Sequence, residues 1–261
     1  MKLFDSHHHL WNLQILDYTW LKQIGSPKPF GDPTPIQKDY VREDFLSDVA
    51  KNNKINLSGS VHIQVDSALA DPVTETRWLS KFIPEGIPSG IVGYVDLTKE
   101  DAEDVLIRHL TYPKFRGVRQ IIAMLEKRPD LSFADENLLL NKCWQKSFAL
   151  LEKHNLSFDL QLYPEQMNES AEFLSDFPGI PVVIDHAGCP YDQSDSGLRI
   201  WKRSLTSLAA LPNLHIKLSG FGMYDKNWSS ESTQIIFDTI LENFNPNRIM
   251  WGSNFPVERL M

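Results

Sequence analysis

Eight short apolar runs recur along this 261-residue chain, and longer stretches of helical spacing separate them. The runs fall at 2–9, 57–65, 91–95, 115–121, 157–162, 182–186, 215–219 and 249–253. Between them, segments 44–52, 72–82, 98–109, 136–154, 164–174, 198–210 and 229–244 place apolar residues three and four apart, as an amphipathic helix requires. Asp71 followed by Pro72 reads as an N-cap and first helical position, and Thr98-x-x-Asp101 as a capping pattern. Strands that alternate with helices form a parallel sheet with helical crossovers, and eight of them close it into a (β/α)8 TIM barrel. The alternative is an open doubly wound sheet. No Gly-x-Gly-x-x-Gly loop follows the first strand, which counts against a dinucleotide-binding version. One domain over 1–261 accounts for the length, and a 42% hydrophobic content suffices to fill its core.

Two segments depart from the repeat. Residues 12–43 form a long connection rich in proline (Pro27, Pro29, Pro33, Pro35) and aromatics (Tyr18, Trp20, Phe30, Tyr40). A loop that long in a compact domain is commonly functional. An ordered flap over the barrel mouth is expected. The chain also stops at Met261, eight residues past Ser253, so the eighth helix has no sequence to form it. The barrel is expected to lack that helix or to receive it from a partner. The apolar surface so exposed predicts a homo-oligomer.

Bulk charge narrows the partners. The net charge is −8, without a basic block, so nucleic acid is not an expected partner. No apolar run approaches the ~18 residues of a membrane span. The N-terminus lacks a basic region with an apolar stretch behind it, which reads as a cytoplasmic start. Cys143 and Cys189 are too few and too isolated for a disulfide framework or a cysteine zinc site.

The chemistry concentrates at strand ends. His7 and His9 end the first run, and a period of two puts them on one face with Asp5 while His8 faces away. Three histidines framed by Asp-Ser and Leu-Trp are not an expression tag. A neutral imidazole pair suits a metal or a proton-transfer site, and simple packing is the bland alternative. Barrels of this kind carry their sites at the carboxyl ends of the strands. There lie His62 and Gln64, Arg116 and Arg119, Gln161 and Tyr163, Asp185 and His186, Lys217 and Ser219, and Asn254. By parity His186 shares the face of Val182 and Ile184, which turns Asp185 toward the helices or the next turn. Arg119 suits bidentate binding of a carboxylate, whereas Arg116 reads as a surface residue. Lys217 suits a site role and a charge at the barrel bottom equally. Asp5 sits deeper and reads as a support for the histidines. His109, His154 and His215 read as structural or solvated.

Five motifs together resemble the amidohydrolase-2 family. They are Asp-Ser-His-His-His-Leu-Trp at 5–11, Phe-Arg-Gly-Val-Arg at 115–119, Ile-Asp-His-Ala-Gly-Cys-Pro at 184–190, Ile-Lys-Leu-Ser-Gly at 216–220 and Met-Trp-Gly-Ser-Asn-Phe-Pro-Val at 250–257. The closest likeness is to its sugar-lactonase branch of L-fuconolactonases, L-rhamnonolactonases and 2-pyrone-4,6-dicarboxylate lactonases. The resemblance implies a distorted (β/α)8 barrel that opens a sugar-acid or carboxylated lactone by water attack on the ring carbonyl. It implies His7, His9 and His186 as ligands of one divalent metal, zinc or manganese, with metal-free catalysis an equal alternative. His7, His9, His186 and Asn254 are then the catalytic set. His62, Gln64, Arg119, Gln161 and Lys217 are the substrate-binding set.

The chain departs from the pattern at Asn254, where the family places an acid after the eighth strand. A neutral amide cannot act as a general base and ligates zinc poorly. His186 or His9 is then the candidate base, and Asn254 orients water or the oxyanion. Two other readings stay open: metal-dependent decarboxylation of an aromatic acid, and a barrel that binds a ligand without catalysis.

Overall fold

In the computed structural model, which describes residues 1–22, 31–65 and 68–260, eight parallel strands stand side by side in chain order. They are β1 (Lys2–His8), β2 (Asn56–Ile63), β3 (Gly90–Gly93), β4 (Phe115–Arg119), β5 (Ser157–Leu160), β6 (Val182–Ile184), β7 (Leu214–Leu218) and β8 (Ile249–Trp251). The chain leaving β8 closes the circle against β1. Ser6 Oγ donates to the Trp251 carbonyl at 2.7 Å, Asn254 N to His7 O at 2.7 Å and His9 N to Phe255 O at 2.7 Å. This is a (β/α)8 TIM barrel, nearly closed. All eight runs form strands, each ending one or two residues early. The residues released there, among them His9, Gln64, Gln161 and Asp185, turn out of the ladder into the loops at the carboxyl end.

Nine helices lie among the described residues: α1 (Thr19–Lys22), α2 (Arg42–Ala50), α3 (Val73–Leu79), α4 (Ala102–Leu110), α5 (Lys142–Phe148), α6 (Leu150–Lys153), α7 (Met167–Leu174), α8 (Asp195–Ala209) and α9 (Gln234–Asn243). Their inner faces bury Trp78, Leu106, Trp144, Phe148, Leu174, Trp201 and Leu205 against the sheet. None is long and apolar enough to cross a membrane.

Local chemistry explains where the helices differ from the periodic reading. The expected helix 136–154 breaks into a 3-10 turn (Leu138–Leu140), α5 and α6. Asn141 causes the first break: its Oδ1 accepts from Cys143 N at 3.0 Å and Trp144 N at 3.1 Å, so it starts a helix rather than continuing one. Thr98 does not cap α4. Asp96 Oδ1 takes its amide at 3.0 Å and its hydroxyl at 2.6 Å, and the helix begins at Ala102.

The connection after β1 is tied down at its described ends. Trp11 and Tyr40 form an antiparallel bridge, Tyr18 Oη donates to Glu75 Oε1 at 2.9 Å, and Trp20 Nε1 donates to Val65 O at 3.0 Å. Pro27, Pro29 and Phe30 lie outside the described residues. After β8 comes a 3-10 turn, Val257–Leu260. Its Arg259 pairs with Asp48 and lies over the rings of Tyr40 and Phe255, at 5.2 and 5.6 Å. On β1 and β8, Phe4 and Trp251 remain 46% and 42% exposed.

One carboxylate staples the seam. Asp5 is buried and accepts from Ser253 N at 2.9 Å, Ser253 Oγ at 2.6 Å and His7 N at 3.1 Å. Burial pushes its pKa up to about 6, and the same three hydrogen bonds oppose the rise. Asp5→Ala leaves those donors without a partner and is expected to cost roughly 2–4 kcal/mol in urea unfolding. Unchanged stability would contradict the staple.

Candidate active site

The carboxyl ends of the strands surround a cavity of about 500 Å³. His9, Gln64, Arg119, Gln161, His186 and Asn254 line it, and so does Trp20 from the connection after β1. Six of the expected site residues therefore share one wall. His7 lies just beneath, fully buried, its ring centroid 5.1 Å from that of His9 and 4.7 Å from that of His186.

The strand parity of β1 sets the histidine directions. His8 faces outward, stacked on Phe45 with centroids 4.2 Å apart and bonded to Ser60 Oγ at 2.9 Å. His9 Nδ1 sits 2.8 Å from the Ile63 carbonyl, so it carries the proton and leaves Nε2 with the lone pair. Burial first, then the positive charge of Arg119, holds His9 well below the usual histidine range. His186 Nδ1 contacts Ser219 Oγ at 3.0 Å, and burial lowers its pKa to about 4. Both imidazoles are neutral at pH 7.

Parity fails at β6. The strand ends at Ile184, and His186 and Ala187 take left-handed backbone angles, with φ of 51° and 55°. Asp185, still extended at φ −77° and ψ 150°, lies on the inward face with Val183, a correction to its expected place toward the helices or the next turn, and the left-handed turn after it brings His186 to the cavity as well. Asp185 Oδ1 lies 3.2 Å from His7 Nδ1 and 2.9 Å from Lys217 Nζ, and Oδ2 lies 3.6 Å from an Arg119 nitrogen. Burial raises its pKa, but Lys217 and His7 outweigh burial and hold the carboxyl well below its usual range. Two glycines make room for the histidines. A Cβ on Gly220, at φ +70°, would stand 2.5 Å from His186 Nδ1, and one on Gly252 2.6 Å from His7 Cβ.

Two expected substrate-binding residues do not reach the cavity wall. Lys217 is sealed below it, paired with Asp159 and Asp185 and 3.3 Å from His7 Nδ1. Its neighbours' negative charge outweighs burial and keeps it an ammonium. His62 is fully buried, accepting from Leu10 N at 3.1 Å, with Nε2 3.5 Å from Glu75. The β2 face that carries it packs against α3 rather than opening to the mouth. Arg119 does reach the wall, but much of its guanidinium is already engaged: Nη2 donates to Gln64 O at 2.5 Å and Nη1 to Gln161 Oε1 at 3.5 Å. Asp159 was missed, although it shares parity with Gln161 and that signal was present. Arg116 is exposed, and Tyr163 packs away from the cavity with its hydroxyl on Leu131 O.

The amidohydrolase family model matches residues 4–260. The chain belongs to the amidohydrolase family. It is 38% identical to protein y4mH of Sinorhizobium fredii, over 99% of this chain and 86% of that protein. It is 26% identical to an L-fucono-1,5-lactonase of Burkholderia ambifaria, over 98% of this chain and 81% of the lactonase. Its fold matches a crystal structure of a Burkholderia multivorans amidohydrolase with bound zinc, at a TM-score of 0.77 and 23% identity, covering 100% of this chain and 86% of that one.

This amidohydrolase has a set of donors that fits a divalent metal. Ligand atoms of His7, Asp185 and His186 lie within 4.8 Å of one another, all buried. Among the described residues, His7 Nε2 and Asp185 Oδ2 have no hydrogen-bond partner. Neutral imidazoles with an ionised carboxylate are the donors that zinc or manganese accepts. His9 stands outside that cluster, in which inward-facing Asp185 joins His7 and His186 of the expected trio. Lys217→Met would strand Asp159 and Asp185 without their cation. It is expected to destabilise the fold by roughly 3–5 kcal/mol in urea unfolding, and a neutral effect would sink the role given to the buried pair.

Proposed function

We propose that this protein hydrolyses the lactone of a sugar acid, with water attacking the ring carbonyl carbon. The observation that carries the reading is the cavity wall itself, where the neutral rings of His9 and His186 stand with the Arg119 cation. The relatedness to L-fucono-1,5-lactonases, which runs nearly the length of the chain, supports the substrate class.

The residues divide the work by charge. His9 Nε2, the lone-pair nitrogen of a ring fixed through Ile63, takes a proton from water as the water oxygen bonds to the carbonyl carbon. Arg119 supplies positive charge toward the carbonyl oxygen as negative charge develops there. The ring C–O bond then breaks, and the imidazolium of His9 returns its proton to the leaving ring oxygen, giving a hydroxy acid. His7, Asp185 and His186 would hold a divalent metal, which when bound would add Lewis-acid polarisation of the carbonyl. Lactones are activated esters, so a modest set of groups suffices.

Charge on the wall refines the substrate. Among the described lining residues, Asp96, Asp135 and Glu136 face one cation, Arg119. That balance favours a neutral polyhydroxylated lactone over a carboxylated one, with acidic side chains accepting from hydroxyls and Trp20 and Tyr94 offering ring faces to carbon-bound hydrogens.

The test is a panel of neutral and carboxylated sugar lactones, followed by acid release with protein supplemented with zinc or manganese. Turnover is expected, fastest on neutral lactones. No turnover across the panel by folded protein would remove the reading in favour of a barrel that only binds. A second prediction concerns pH. Activity needs His9 neutral, and its pKa is depressed, so kcat/KM should stay level as pH falls through about 6.5, the ordinary histidine value, and decline only at more acid pH. A midpoint at the ordinary value would exclude His9 as the base.

A further inference from the structure

Asn254 stands where the family pattern has an acid, and the structure shows what it faces. Its Nδ2 lies 3.2 Å from Glu258 Oε1 and 3.4 Å from Met223 Sδ. Glu258 sits one turn further on, in the 3-10 turn after β8. The turn is held rigidly. Glu258 N bonds back to Asn254 O at 3.2 Å, and the neighbouring Arg259 is clamped by Asp48, Tyr40 and Phe255. Asn254 itself is held by its amide on His7 O at 2.7 Å, with φ of 52°.

A carboxylate can only accept, so the amide end of Asn254 that faces Glu258 must be the nitrogen. The side-chain oxygen is then the end left for the cavity that Asn254 lines. We propose that Asn254 and Glu258 are a matched pair, in which Glu258 is a positioning residue that holds the Asn254 oxygen into the cavity as an acceptor for the attacking water or a substrate hydroxyl. The carboxylate missing at 254 is thereby found one turn away, orienting an amide instead of facing the substrate. This deepens the lactonase reading and rests on it for the role of the oxygen, although the pairing itself does not.

The pairing predicts that an acid at 254 is wrong for this chain. Asn254→Asp sets two carboxylates against each other at hydrogen-bond distance, and both cannot be ionised without strain. Adding Glu258→Gln restores a donor opposite the new acid. The experiment is a double-mutant cycle on Asn254→Asp and Glu258→Gln in the full chain, read two ways.

By thermal unfolding at pH 8, Asn254→Asp should lower Tm by about 5 °C, and the double variant should recover most of it. By lactone turnover, Asn254→Asp should lose on the order of 10²-fold in kcat through misplacement of the acceptor, and the double variant should regain at least about 10-fold. A Tm cycle without recovery, or an Asn254→Asp variant faster than the parent protein, would overturn the pairing. If the parent protein turns over no lactone, the lactonase reading fails while the Tm cycle still decides the pair.

Discussion

The site depends on one buried cation. Lys217 lies under the cavity between Asp159 and Asp185 and within reach of His7, so β5, β6, β7 and β1 all send a side chain to the same point. Charges so deeply buried are tolerable only when paired. The pairing keeps Asp185 ionised beside His7 and His186, which is the state a metal ligand needs. The barrel seam rests on a similar device, Asp5 joining the β1 histidine strand to Ser253. Both carboxylates sit just below the cavity, so the charges that support the site also hold the strands that carry it.

Much of the architecture was legible because strand and helix differ in period. Every run of alternating or continuous apolar residues became a strand, and the order of strands followed the chain. The wall residues His9, Gln64, Arg119, Gln161, His186 and Asn254 could be named because a barrel gathers its strand ends. What stayed hidden is local. Asp185 was misplaced because Val182 and Ile184 were taken to face inward, whereas Val183, level with Asp159, does; no periodicity anticipates the left-handed backbone that brings His186 in as well. Lys217 points inward but is taken up below the cavity by Asp159 and Asp185, and His62 turns to Glu75 of α3. The helix expected over 136–154 broke because a side-chain oxygen on Asn141 competes with the helix for backbone amides.

Asn254 illustrates how a departure from a family pattern can be read physically. Taken alone, an amide in place of an acid suggests lost chemistry. Beside Glu258 and Met223 it becomes an oriented oxygen, on a turn clamped to the connection that also carries Tyr40. In the proposed reaction proton transfer falls to His9, held below the usual histidine range by burial and the nearby Arg119. In the proposed reaction the acceptor, the base and the cation are separate residues, just past β8, just past β1 and at the end of β4, which lets each be altered without removing the others.

Inward-facing Asp185, with His7 and His186, forms the donor set that fits a divalent metal. The direct measurement is zinc and manganese binding by purified protein and by its Asp185→Asn variant, using elemental analysis after dialysis against defined metal. Close to one ion per chain is expected for the parent, with an affinity weaker by roughly 10–100-fold or more for the variant. Equal binding by both proteins, or no binding by the parent, would contradict it.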